Sequence, residues 1–221
     1  MATVLFVSPH QDDDTISMGV AVRDHLNAGH DVHVLLLTTG ENSAVRTELA
    51  MDVADFVAAR DDELLRATRQ VGVRTANVHI SPDRVQDGTL TADAAQAMVA
   101  AFLDDNPGAW VKSYSDLDVP GKHPDHLASG QAVRALLVTG VVTNWRCYVE
   151  PWLLSAFRTA NPGVTVGTER VSDNTGVLRG FAQYQVQDHV AGMYGIGYLS
   201  VGAEFAENTP PLSYYHVPVA A

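Results

Sequence analysis

Lysine is nearly absent: Lys112 and Lys122 are the only two in 221 residues, and the twelve arginines are scattered along the chain without forming a basic stripe. With 14 basic residues against 26 acidic ones, the net charge is −12. Such a balance repels nucleic-acid phosphates and anionic lipid surfaces, so neither nucleic acid nor a membrane is expected as a partner. Cysteine is almost as scarce. Cys147 stands alone, which excludes an internal disulfide and a multi-cysteine zinc cluster and suits a reducing compartment. Alone, it reads as a small buried thiol. Long apolar runs are missing too: no segment approaches the roughly 20 residues of a membrane span. The first apolar stretch, Thr3 to Pro9, carries no basic leader, and a cytoplasmic location is the expectation.

The residues that are present describe a globular chain. Apolar residues make up 46% and charged residues 18%, enough apolar surface to offset the entropy of ordering. At this length a single domain is expected, with a core over about residues 1–150 and an irregular, glycine-rich C-terminal region, about 151–221, packing over it. Thr3 to Ser8 and Asp31 to Thr38 are continuous apolar runs of strand length, as suits a parallel sheet covered on both faces. Thr15 to Ala28 has helical spacing and stops at Gly29. The alternation continues with a helix from about Thr47 to Val71, a strand near Asn77 to Ile80 and a helix from about Thr91 to Leu103. A strand from Ala109 to Tyr114, a helix from His126 to Leu137 and a strand from Arg146 to Val149 follow. Beyond Pro151 only a short strand, Thr165 to Arg170, and a helix, Thr175 to Gln187, are expected. The fold class is α/β: a Rossmann-like open, mostly parallel sheet with helices on both faces.

Two clusters carry chemistry. Ser8-Pro-His-Gln-Asp-Asp-Asp14 follows the first strand, and Lys122-His-Pro-Asp-His126 lies between the fourth strand and the next helix. In an open α/β sheet, ligands bind beyond the carboxyl ends of the strands. Crowded carboxylates raise one another's pKa unless a cation offsets them, and imidazole with carboxylate suits zinc. Taken singly, each cluster has a structural explanation, since aspartates cap helix starts and His-Pro forms turns. Taken together, two metal-competent clusters at two strand ends are hard to explain as caps.

The pair Pro9-His-Gln-Asp-Asp-Asp14 and His123-Pro-Asp-His126 resembles the signature motifs of the LmbE-like or PIG-L superfamily of metal-dependent N-deacetylases. The resemblance extends to the helix Arg60-Asp-Asp-Glu-Leu-Leu-Arg-Ala-Thr-Arg-Gln-Val-Gly72, to Tyr184-x-x-Gln187 and to the segment Gly202-Ala-Glu-Phe-Ala-Glu207. Two positions depart from the commonest first motif, with Gln11 where proline and Asp14 where glutamate is usual. The resemblance implies that His10, Asp13 and His126 hold one catalytic Zn2+, or Fe2+ or another divalent ion. It implies Asp12 as the general base for the attacking water. His123 would serve as oxyanion partner or proton donor, oriented by Asp125, and Arg60 and Asp87 would contact substrate. The implied substrate is a small soluble N-acetylated amino-sugar conjugate; the oligomeric state is left open. Two readings from other classes remain: a receiver-like signalling domain, which also places aspartates after its first strand, and a metal-binding relative without catalysis.

Overall fold

The computed structural model describes residues 1–218. In chain order the elements are β1 (Thr3–Ser8), α1 (Asp13–Ile16), α2 (Gly19–Asn27), β2 (Asp31–Thr38), α3 (Val45–Glu48), α4 (Val53–Val71), β3 (Val78–Val85), α5 (Ala92–Asp105) and β4 (Trp110–Tyr114). They continue with α6 (Pro124–Val138), β5 (Trp145–Val149), α7 (Leu154–Ala160), β6 (Gly167–Glu169), α8 (Thr175–Gln183), β7 (Gln187–Asp188), β8 (Met193–Tyr194), α9 (Ile196–Glu207) and β9 (Ser213–His216).

Seven strands form one sheet in the order β3-β2-β1-β4-β5-β9-β6, while β7 and β8 pair separately. β1 to β5 run parallel, and β9 is antiparallel to both of its neighbours. Alternation along β1 shows why this strand lies in the middle. Leu5 and Val7 enter a core shared with Ala95, Val99 and Phe102 of α5 and Ala132, Val133 and Leu136 of α6. Val4 and Phe6 enter the opposite core, with Val20 of α2, Ala67 and Val71 of α4, Phe181 of α8 and Phe205 of α9. Successive side chains point to opposite faces of a strand, so an unbroken apolar run is what a sheet covered on both sides requires. The strand order reverses between β1 and β4, the switch point where such folds open a crevice.

Several expected boundaries shift for local reasons. The helix expected from Thr15 divides into α1 and α2 around Ser17 and Met18. The long helix from Thr47 divides into α3 and α4, because Asp52 starts a new helix by accepting the Asp55 N–H at 2.8 Å. α4 ends where Gly72 takes the left-handed conformation, with φ 117°. The larger correction is at the C-terminus. The segment expected to be irregular contains α9, of 12 residues, and β9, which inserts between β5 and β6. Glycines at 195, 197 and 202 weaken the helical signal, and the start of α9 is stabilised from outside: the Glu63 carboxylate accepts the Ile196 and Gly197 N–H groups at 2.7 and 2.9 Å. Residues 219–221 of that expected region lie outside the described residues. No helix among the described residues is long and apolar enough to cross a membrane.

Candidate metal centre

Two short connections deliver the motif residues. After β1, the Ser8 hydroxyl donates to the His10 carbonyl at 2.8 Å and accepts the Asp14 N–H at 3.1 Å. The His10 N–H donates to Asp13 Oδ2 at 2.8 Å. After β4, the chain reaches α6 through Lys122 and His123. His123 is the N-cap, its Nδ1 accepting the Asp125 N–H at 3.2 Å, and Pro124 occupies the first helical turn. Gly130 lets α6 lie directly on the chain leaving β4; a Cβ there would come within 2.5 Å of the Ser115 carbonyl.

The sequence-predicted ligands meet. His10 Nδ1 lies 3.1 Å from Asp13 Oδ2 and 3.2 Å from His126 Nε2, and His126 Nε2 lies 3.1 Å from Asp13 Oδ1. Ligand atoms on a tetrahedral ion at about 2.0–2.1 Å are about 3.3 Å apart, so the donor set and its spacing fit one divalent ion with a position to spare. All three residues are buried. Burial works against the charged imidazoles, but the surrounding carboxylates together outweigh it, Asp13 with Asp125 and Asp87 holding His10 well above the ordinary histidine range and Asp13 with Glu150 holding His126 above it. Burial also opposes the Asp13 anion, yet His126 and His10 hold it well below the usual carboxylate range. The trio therefore favours positive charge strongly.

Each of the three side chains is held from behind, as is usual for residues that bind a metal. His10 Nε2 faces Asp125 Oδ2 and Asp87 Oδ1, both at 3.2 Å. Tyr114 donates its hydroxyl to Asp13 at 2.8 Å. His126 Nδ1 is 2.9 Å from Glu150 Oε1. Glu150, at the end of β5, went unnoticed in the sequence because an isolated glutamate in Val-Glu-Pro has no motif around it; only the β5 position beside β4 brings it under α6.

Three expected site residues have protein partners that the sequence did not indicate. Asp125 does not grip the His123 ring, whose Nδ1 is 3.9 Å from its carboxylate. That carboxylate instead faces His10 and accepts the Gly88 and Leu90 N–H groups at 2.8 and 3.1 Å. Arg60 is buried and spends its guanidinium on Asp12 Oδ2, at 3.1 Å, and the Gly40 carbonyl, at 3.0 Å. Asp87 reaches the cavity but leans on His10. Asp12 is buried, and desolvation raises its pKa while Arg60 restrains the rise. His123 is partly exposed; burial, with His10 and His126 nearby, lowers its pKa. Asp12, Asp87, His123 and the three ligands line one cavity of about 370 Å³, whose apolar wall includes Ile16, Trp152, Leu153 and Val201. Gln11 ties its amide to the Thr39 carbonyl and Asp61, at 3.0 and 3.1 Å, so it braces the loop outside the cavity.

The remaining histidines sit elsewhere. His33 and His79 stack, with ring nitrogens 2.9 Å apart. His189 lies in a turn between β7 and β8, well before the last helix. Asp116, Cys147 and His216 form a further group with metal-ligating atoms close together, but His216 Nε2 is engaged with Ser115 Oγ at 2.8 Å, and burial pushes the Cys147 thiol well up.

Comparison with known proteins identifies the family. Residues 5–137 match the family described as GlcNAc-PI de-N-acetylase, PIG-L. The chain is 33% identical over 151 residues to 1D-myo-inositol 2-acetamido-2-deoxy-alpha-D-glucopyranoside deacetylase of Mycobacterium sp. (strain KMS), a match covering 60% of this chain and 49% of that protein. The chain thus spans about half the length of the curated relatives it matches. Among solved structures, the zinc-inhibited form of teicoplanin deacetylase superposes with a TM-score of 0.62 at 16% identity, covering 97% of this chain and 98% of the other. The 4-carboxy-2-hydroxymuconate hydratase of Pseudomonas putida KT2440 superposes at 0.59 and 16% identity, covering 100% and 98%. These two likenesses concern the fold alone. The family match runs from β1 into the helix that carries His126, through both clusters that build the centre, and the chain belongs to the GlcNAc-PI de-N-acetylase family.

Proposed function

We propose that the chain hydrolyses the amide of a small, soluble N-acetylated amino-sugar conjugate, with a divalent ion, zinc or iron(II), held by His10, Asp13 and His126. The observation that carries this reading is the meeting of three ligand side chains, whose nearest polar atoms lie 3.1–3.2 Å apart, in a cavity also lined by the Asp12 carboxylate and the His123 imidazole. The named activity of the mycobacterial relative, a deacetylase of an acetamido sugar, supports the substrate class. A bound ion there supplies Lewis acidity, which polarises a carbonyl and brings the pKa of water toward about 7.

The chain's own groups do the rest. Asp12 takes the proton from the attacking water; burial makes it a stronger base than a surface aspartate, and Arg60 keeps it ionised and aimed. His123 accepts the Asp125 N–H through Nδ1, so in its neutral form the ring proton sits on Nε2. From there it donates a hydrogen bond to the developing oxyanion, and the proton that Asp12 took from water passes to the departing amine as the C–N bond breaks. Acetate and a free amine result, with no covalent enzyme intermediate. A receiver-like role leaves the two buried imidazoles without a task.

The test is metal content and free-amine release on a panel of N-acetylglucosamine conjugates. About one ion per chain, amine release lost on chelation and restored by metal, is the expected result. His126→Ala should lose the ion, and Asp12→Ala should keep it while losing turnover. Full activity after exhaustive metal removal overturns the proposal; retained metal with no hydrolysis of any conjugate marks a binding protein without catalysis.

A further inference from the structure

The charge lining the cavity is one-sided. Asp12, Asp13, Asp87, Glu150 and Glu204 face it, and among the described residues Arg60 is the one lysine or arginine that does. Arg60 is already committed to Asp12 and the Gly40 carbonyl. Lys122, next to His123 in sequence, turns its ammonium to the Ser115 and Leu117 carbonyls at 2.6 and 3.1 Å and stays out of the lining. A divalent ion and Arg60 together bring three positive charges against five carboxyl groups.

Four of those carboxyl groups have partners: Asp12 has Arg60, Asp13 and Asp87 have His10, and Glu150 has His126. Glu204 on α9 is half-buried and its carboxylate makes no hydrogen bond or ion pair among the described residues. Close to it on the same wall, Ser200 pairs its hydroxyl with Ser43 at 2.5 Å. This wall offers acceptors and neutral hydroxyls, and no free cation. A phosphate or carboxylate placed there meets like charge without a counter-ion, whereas a hydroxyl or ammonium finds an unused acceptor.

Building on the deacetylase reading, we propose that this cavity selects acylated amines whose neighbouring groups are hydrogen-bond donors, hydroxyl or ammonium. It discriminates against those bearing phosphate or carboxylate beside the amide, with Glu204 as the specificity-determining residue. Four probes test this on the metal-loaded chain: methyl N-acetylglucosaminide, chitobiose with one acetyl group and one free amine, N-acetylglucosamine 1-phosphate, and N-acetylmuramic acid. The first two should exceed the last two at least tenfold in kcat/KM. Glu204→Gln should narrow that ratio at least threefold, and so should added salt, which screens charge over about 10 Å at 0.1 M. Anionic probes turned over within twofold of the neutral one, or a ratio unmoved by Glu204→Gln, overturn the inference. If no probe releases amine, the deacetylase reading fails on its own. The order of binding of the same four compounds, measured by calorimetry on the parent and on Glu204→Gln, then decides the selectivity independently.

Discussion

At the scale of single residues, the most informative change is in Arg60. Its guanidinium lies against Asp12 and a backbone carbonyl, an arrangement suited to orienting the proposed base. Arg60→Ala should lower kcat roughly ten- to a hundredfold with KM within about twofold, because the lost interaction orients a group used in the transition state. Steady-state kinetics check this: a raised KM at unchanged kcat would return Arg60 to substrate binding. Glu150 is the counterpart on the metal side. With His126 Nδ1 at 2.9 Å, it holds the ring so that Nε2 faces the other ligands. Glu150→Gln should weaken metal binding roughly ten- to a hundredfold, as loss of such a partner typically does, measured by competition with a chelator. The proposed ligands were legible in the sequence because each sits in a compact motif with its own spacing. Glu150 and the true partner of Arg60 were not, since residues 24 and 48 positions away supply the contacts.

Secondary-structure elements decide how far the motifs can approach one another. α6 carries His126 and is capped by His123, and its height above the sheet is set at Gly130, where even a methyl group would collide with the Ser115 backbone. Gly130→Ala should therefore push α6 outward and destabilise the chain by about 1–3 kcal/mol. For a chain of this size that is a Tm lower by about 2–4 °C per kcal/mol. Metal affinity should fall with it, because His126 moves away from His10; a variant with unaltered Tm and metal affinity would show that α6 adjusts without cost. α9 illustrates the opposite dependence. Its first turn is capped by Glu63 of α4, whose pKa burial pushes up to about 7. A helix stabilised by a side chain from another element leaves no capping signal of its own in the sequence.

Across the whole molecule, the buried bases set how stability responds to pH. His25 is packed among Phe6, His30 and Trp110, and burial, with Lys112 and His30, lowers its pKa to about 3. The unfolded chain protonates this imidazole below about 6.5, whereas the folded core refuses the proton until about 3. Between those values the unfolded state binds more protons, so the His25 contribution to stability is present above about 6.5 and is lost as pH falls toward 3. His10 and His126, with raised values, act in the opposite sense. The difference between the parent and His25→Phe isolates the effect: its Tm should fall less steeply than the parent's from pH 6.5 to 4. Parallel Tm curves would show that His25 does not titrate differently on folding.

The sequence alone determined the parallel sheet and the set of candidate ligands. Strands such as Thr3–Ser8, buried on both faces, need unbroken apolar runs, and aspartates and histidines crowded at two strand ends announce a site for a cation. The tertiary structure decided which carboxylate holds which imidazole, where Arg60 spends its charge, and that the glycine-rich C-terminus becomes a capped helix and an inserted strand. Those outcomes depend on side chains that meet only after the chain has folded. Asp125 reaches His10, 115 positions away, in preference to His123, two positions away, because the Gly88 and Leu90 N–H groups hold its carboxylate.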